Sequence, residues 1–197
     1  MRARFLSVAL LGALLLPAAA RATTYRVDPE HTTVAFEVRH LFTSVEGRFR
    51  RFHGTIEFDP AHPEATRVEG AIEAASIDTN NEKRDKHLRS GDFFDVEKYP
   101  EIRFVSTGVS DVDAAKKTGK LHGKLTIHGV EKPVVLDVTY LGTAKDPWDN
   151  VRGGFEARGK INRKDFGLTW NETLETGGLL VGDEVTLRIN AEGLVED

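Results

Sequence analysis

The chain has 197 residues, no cysteine, and 27 basic against 31 acidic side chains, for a formal net charge of -4. Without cysteine there are no disulfides, no thiol catalysis, no thiolate metal site and no lipid attached to an N-terminal cysteine, so the fold must hold by core packing. The mild, interspersed charge excludes bulk nucleic-acid binding and polybasic membrane adhesion.

The first element has the layout of an export signal. Arg2 and Arg4 precede an apolar run from Phe5 to Leu16, then Pro17 and small residues ending in Ala20-Arg21-Ala22. A basic start, a short apolar stretch and an A-x-A site predict a secretory signal peptide over 1–22. Cleavage is expected after Ala22, although Ala18-Ala19-Ala20 also fits. The run is too short for a membrane anchor, which needs about 20 apolar residues. The expectation is therefore a periplasmic or secreted protein, with 23–197 as one domain and no stable membrane insertion.

Period-two alternation follows along most of the chain, the pattern of half-buried strands. Val34, Phe36 and Val38 share one face. So do Phe52, Gly54, Ile56 and Phe58, then Val68, Gly70, Ile72 and Ala74, and later Ile102 with Phe104. Leu121, Gly123, Leu125 and Ile127 come next, then Val134, Leu136, Val138 and Tyr140. Phe155, Ala157, Gly159 and Ile161 precede a last set of Val185, Leu187, Ile189 and Ala191. Val45, Gly47 and Phe49 are out of step with Phe52, which predicts a β-bulge at Arg50-Arg51. Turn chemistry appears at Asp59-Pro60 and in 129–133. Only 80–90 reads as helix, with Gly91 as its stop, and its polar composition places it over a barrel end. An aromatic loop follows through Tyr99-Pro100, and a second long irregular segment spans 163–182. About eight long strands with one apolar face each predict an all-β fold, an eight-stranded antiparallel barrel with a short helix and long loops at its mouth.

Small residues recur on the apolar face: Gly54, Gly70, Ala74, Gly123, Gly153, Ala157, Gly159 and Ala191. Either they leave an elongated cavity, or glycine serves strand curvature and the large aromatics fill the gap; the residues alone leave both open. No catalytic or metal site is assembled. His122 and His128 lie about 20 Å apart along one strand face, too far for one ion. His40 and His53 could meet across neighbouring strands, but no ligand motif supports them. No serine sits in a G-x-S-x-G context. The pairs Asp92 with Asp95 and Asp165 with Glu172 carry no specific spacing signal. Gly177-Gly178 lacks the lysine of a phosphate loop.

Several motifs together resemble the YceI-like family. They are Tyr25-Arg26-Val27-Asp28 with His31-Thr32-Thr33-Val34, then Val38-Arg39-His40-Leu41 with Val45-Glu46-Gly47-Arg48-Phe49. The stretches 87–95, Leu125-Thr126-Ile127-His128-Gly129-Val130, 162–168 and Gly182-Asp183-Glu184-Val185 are similarly characteristic. The resemblance implies a lipocalin-like barrel around a long hydrophobic cavity. It further implies a non-enzymatic periplasmic or secreted carrier of an isoprenoid or other amphiphilic lipid, without a cofactor. The tail is then expected among Phe36, Val38, Phe52, Ile56, Phe104, Leu125 and Phe155. Phe94, Phe166 and Trp170 would close the mouth, where His40, Arg163 and Asn171 would meet a headgroup. The competing expectation is a filled barrel acting through a protein partner, with 80–90 and the loop after it as the contact surface. Edge strands or loop aromatics could support a homodimer.

Overall fold

The computed structural model describes residues 22–173 and 179–196. The expected signal peptide, save Ala22, and the Gly177-Gly178 pair lie outside the described residues.

Eleven strands form one sheet: β1 (Thr23–Val27), β2 (Thr33–His40), β3 (Thr43–Phe49), β4 (Phe52–Phe58), β5 (Arg67–Glu73) and β6 (Ile77–Asp78) come first. After α1 (Glu82–Arg89) follow β7 (Glu101–Asp113), β8 (Thr118–Ile127), β9 (Val130–Lys145), β10 (Val151–Asn162) and β11 (Val181–Val195). All neighbours pair antiparallel, and β1 meets β11 through Tyr25↔Val195 and Val27↔Gly193, which closes the ring. Three lanes of the ring are split strands: β1 continues into β2, β3 into β4 and β5 into β6. Eight lanes in up-and-down order result, as the alternation predicts. Closure pairs β1 with β11 and removes the main sheet edges, but β3 meets β6 only through Arg48 and Phe49, so residues 43–47 are paired on the β2 side alone.

The phase change at Arg50-Arg51 is a corner rather than a bulge. β3 ends at Phe49 and β4 begins at Phe52, while the neighbouring lane breaks at the same level between Glu73 and Ile77. Ser76 holds the corner: its carbonyl accepts from Arg50 N at 3.1 Å, and its hydroxyl accepts from Arg51 N at 3.1 Å and donates to Glu73 O at 2.6 Å. Because both lanes bend together, Phe49 and Phe52 can both point inward. The turn between β8 and β9 is only His128-Gly129, with φ of 52° and 74°, a type I′ geometry. Val130 to Pro133 already belong to β9. His128 thereby leaves the strand face and meets Tyr99 edge-on, with centroids 4.6 Å apart.

The core falls into two clusters. Phe49, Ile77, Ile102, Leu125, Ile127, Phe166 and Leu168 pack at the α1 end, and Tyr25, Ile56 and Phe58 at the other. Several inward glycines serve this packing directly. A Cβ at Gly123 would overlap the Phe104 ring and one at Gly47 would overlap the Phe36 ring, while at Gly153 it would lie 2.6 Å from Tyr25. The space each glycine vacates is thus taken by an aromatic from the adjacent lane, or, for Tyr25 and Gly153, from across β11. At these three positions the large aromatics fill the gap, the second of the two readings the residues leave open.

Candidate functional site

A large lumen nevertheless remains. A cavity of about 1110 Å³ runs through the barrel, lined by residues of nearly every lane and overwhelmingly apolar. It reaches from Pro63, Thr118 and Tyr140 at the far end to Val38, Leu88 and Trp170 at the α1 end. Ring-into-glycine packing and an open interior coexist: the Phe104 and Phe36 rings lie over Gly123 and Gly47 and still line the lumen.

Toward the far end the barrel carries a cluster of four rings. Phe58 meets Tyr140 at 4.6 Å and Phe155 at 5.6 Å, and Tyr25 meets Phe155 edge-on at 5.4 Å. At the other end, α1 lies over the mouth, held by polar contacts rather than by an apolar stripe. Asn81 caps it by accepting from Arg84 N at 3.0 Å. Buried Asp85 accepts from Thr79 N at 2.9 Å and from Thr79 Oγ1 at 2.5 Å. Arg84 donates to Thr79 O at 2.8 Å, and Arg89 donates to Ala75 O and Ile77 O at 2.8 and 2.6 Å. A helix this short is unstable alone; these bonds to β6 and its flanks hold it in place.

Aromatics join the helix to the loop after β10. The His87 ring stands edge-on to Trp170 at 4.8 Å and to Phe93 at 5.1 Å, and its Nε2 pairs with Asp92 Oδ2 at 2.9 Å. Phe94 packs against Phe49, which packs against Phe36. The loop is organised by Arg163, only 4% exposed, which donates to Gly182 O at 2.9 Å, Leu168 O at 2.5 Å and Trp170 O at 2.9 Å. Burial pushes its guanidinium pKa down, and Asp183 at 3.5 Å partly offsets this. Asn171 closes the loop on β11, donating to Val181 O at 2.7 Å and accepting from Val181 N at 3.0 Å.

Of the thirteen residues expected at the site, eleven line the cavity: Phe36, Val38, His40, Phe52, Ile56, Phe94, Phe104, Leu125, Phe155, Arg163 and Trp170. Phe166 and Asn171 do not. Phe166, 2% exposed, is a core residue beneath the loop, and the Asn171 amide is spent on the Val181 backbone. Arg163 borders the lumen, but its hydrogen bonds go to loop carbonyls. His40 is the member of the expected headgroup trio with no such commitment among the described residues. Lys83, Arg84 and His87 of α1 also line the mouth and were not foreseen. A charged helix over an apolar barrel was the available signal. Phe58 and Tyr140 were in phase on their strands and equally legible.

No cluster of three or more potential metal ligands occurs among the described residues. His40 and His53 do not meet, since His40 pairs with Thr43 at the α1 end and His53, in β4, opposes Ala71 of β5. Ser110 Oγ lies 2.8 Å from His122 Nε2, but His122 is out of phase with inward Leu121 and Gly123, so this pair sits on the outer wall.

Comparison with known proteins agrees with this architecture. Residues 25–193 match the YceI-like domain. A UPF0312 protein of Pseudomonas savastanoi pv. phaseolicola is 43% identical over 165 residues, covering 82% of this chain and 85% of the relative. The crystal structure of a Campylobacter jejuni YCEI protein superposes with a TM-score of 0.68 at 34% identity, covering 79% of this chain and 88% of that one. A polyisoprenoid binding domain from Saccharophagus degradans shares the fold, with a TM-score of 0.62 at 15% identity over 88% and 99% of the two chains. This chain belongs to the YceI-like family.

Proposed function

We propose that the protein is a non-enzymatic carrier that holds an isoprenoid or other long-chain amphiphilic lipid in the barrel. The carrying observation is the lumen of about 1110 Å³ with almost wholly apolar walls. Water is poorly suited to fill it, because each ordered water needs 2–4 polar partners. A lipid tail suits it well. Each methylene taken from water contributes about 0.8 kcal/mol, so ten supply about 8 kcal/mol before the cost of association. The Saccharophagus degradans domain of the same fold is a polyisoprenoid binding domain, which supports this reading. The headgroup would lie at the α1 mouth near His40, Lys83 and His87.

The order of basic, apolar and small residues over 1–22 supports export, and we place the carrier in the periplasm or outside the cell. Two measurements test the proposal. Native mass spectrometry of gently purified protein should show an added mass that solvent extraction releases as a long-chain lipid; a homogeneous apo mass would refute the carrier. Sequencing the exported protein should find Thr23 at its N-terminus, and retention of residues 1–22 in the cytoplasm would refute export.

A further inference from the structure

The turn between β2 and β3 is built against ordinary hairpin chemistry. His40 pairs with Thr43, leaving Leu41-Phe42 as a two-residue connection. Such turns favour Asn-Gly or Gly-X because a central residue takes positive φ. Here Leu41 sits at φ 50°, a region disfavoured for a bulky side chain, and Phe42 is 95% exposed. Leu41 N donates to Leu180 O at 3.0 Å, tying the turn to a stretch where Leu179 is also exposed. Neither strain nor aromatic exposure serves the barrel, and such local conflicts concentrate where a surface has a task.

Position suggests the task. His40, Leu180 and Val181, beside this tip, line the cavity. The apolar tip therefore stands on the rim of the apolar lumen. Charge at this end is mixed: Arg39 and Lys83 carry one sign, Glu82 and Glu172 the other. An apolar point inside a rim of both signs complements a zwitterionic phospholipid surface, whose phosphate and amine can both be met.

We propose that the Leu41-Phe42 tip enters the surface of a phospholipid membrane and seats the α1 end of the barrel against it, so that a lipid chain passes between bilayer and lumen without crossing water. The inference rests on the carrier reading and adds its route of loading. Each methylene exposed in transit lowers the equilibrium population of that state about fourfold, so contact between mouth and membrane removes the largest obstacle. The contact is peripheral and reversible, since one aromatic tip anchors weakly.

The test uses the full mature chain, its Phe42→Ser and Phe42→Trp variants, and phosphatidylcholine vesicles with and without phosphatidylglycerol. Co-flotation should fall on the order of tenfold in Phe42→Ser with both vesicle types, the loss expected for one large apolar side chain. The Trp introduced in Phe42→Trp should shift its emission to the blue when vesicles are added. Uptake of a fluorescently tagged polyprenol from vesicles should slow about tenfold in Phe42→Ser, while binding of the same probe delivered as monomer from ethanol stays unchanged. Equal flotation and uptake in wild type and Phe42→Ser would overturn the proposal. So would a wild type that ignores vesicles but forms a dimer that Phe42→Ser splits, which would make the tip a self-association surface. If no variant binds the monomeric probe while flotation still depends on Phe42, the carrier reading fails and membrane docking stands.

Discussion

Gly123 carries a sharp test of how the barrel can be both packed and hollow. Adding a methyl group there places a Cβ on the Phe104 ring and 2.9 Å from Val105 O. The backbone oxygen cannot retreat without breaking the β7–β8 ladder, so the ring must swing toward the lumen. Overpacking of this kind costs roughly 1–3 kcal/mol. For a chain of this size, with about 2–4 °C per kcal/mol, Gly123→Ala should melt roughly 2–12 °C lower. The displaced ring then occupies ligand space, so affinity for a long chain should fall as well. Phe104→Ala removes the ring, and in that background Gly123→Ala should cost only what the Val105 O contact imposes. The four proteins form a double-mutant cycle whose coupling we expect at about 1–3 kcal/mol, favourable to the double mutant. Thermal melts give the coupling, and polyprenol titration reports whether the lost affinity returns. Coupling below about 0.5 kcal/mol would refute the packing argument, because distant independent sites add within that range.

Asp28 and Asp146 both hold the Arg152 guanidinium, at 2.7 and 3.0 Å, and their pKa values fall from 3.8 to about 2, Asp28 chiefly through Arg152 and Asp146 first through Asn150 and then Arg152. Their stabilisation is complete above about pH 4 and disappears as pH falls toward 2, so melts between pH 5 and 2 should drop more steeply in wild type than in Arg152→Met; parallel profiles would refute the network. Arg163→Met leaves the carbonyls of Leu168, Trp170 and Gly182 without their donor. A loss of roughly 3 kcal/mol is expected for these unpaired groups, together with faster amide exchange at 168–170 and a red-shifted Trp170 emission; an unchanged exchange pattern would refute the organising role. Leu41→Gly relieves the positive φ and should raise stability by up to about 1 kcal/mol, read as a higher melting temperature, whereas a lower one would show that Leu41 contributes more by contact than it loses by strain.

Much of this architecture is legible without coordinates, because a wall with one dry face imposes a period of two. The inward set of β8, from Leu121 to Ile127, and that of β11, from Val185 to Ala191, follow from alternation alone, and eight such runs imply closure. The helix at 82–89 announces itself through a run of charged helix formers ahead of Gly91. Phe36, Phe52 and Phe155 reach the lumen for the same periodic reason.

Other features depend on groups brought together from distant parts of the chain. The emptiness of the wall at Gly123 or Gly47 is a matter of which ring lies opposite, and that is set by register: Phe104 against Leu125 and Phe36 against Gly47. Arg163 and Asn171 look like solvent-facing headgroup ligands in a polar loop. Only the return of the chain at Val181 and Gly182 supplies the backbone groups that consume their hydrogen bonds. The corner at Arg50-Arg51 likewise shows in sequence as a slipped phase. Its cause is Ser76, 25 residues away from Arg51, pairing with both sides of the break. Periodicity is a local constraint and survives in the one-dimensional string; the partner of a buried polar group or of a vacant Cβ position is not, because it is chosen by sheet register and loop return.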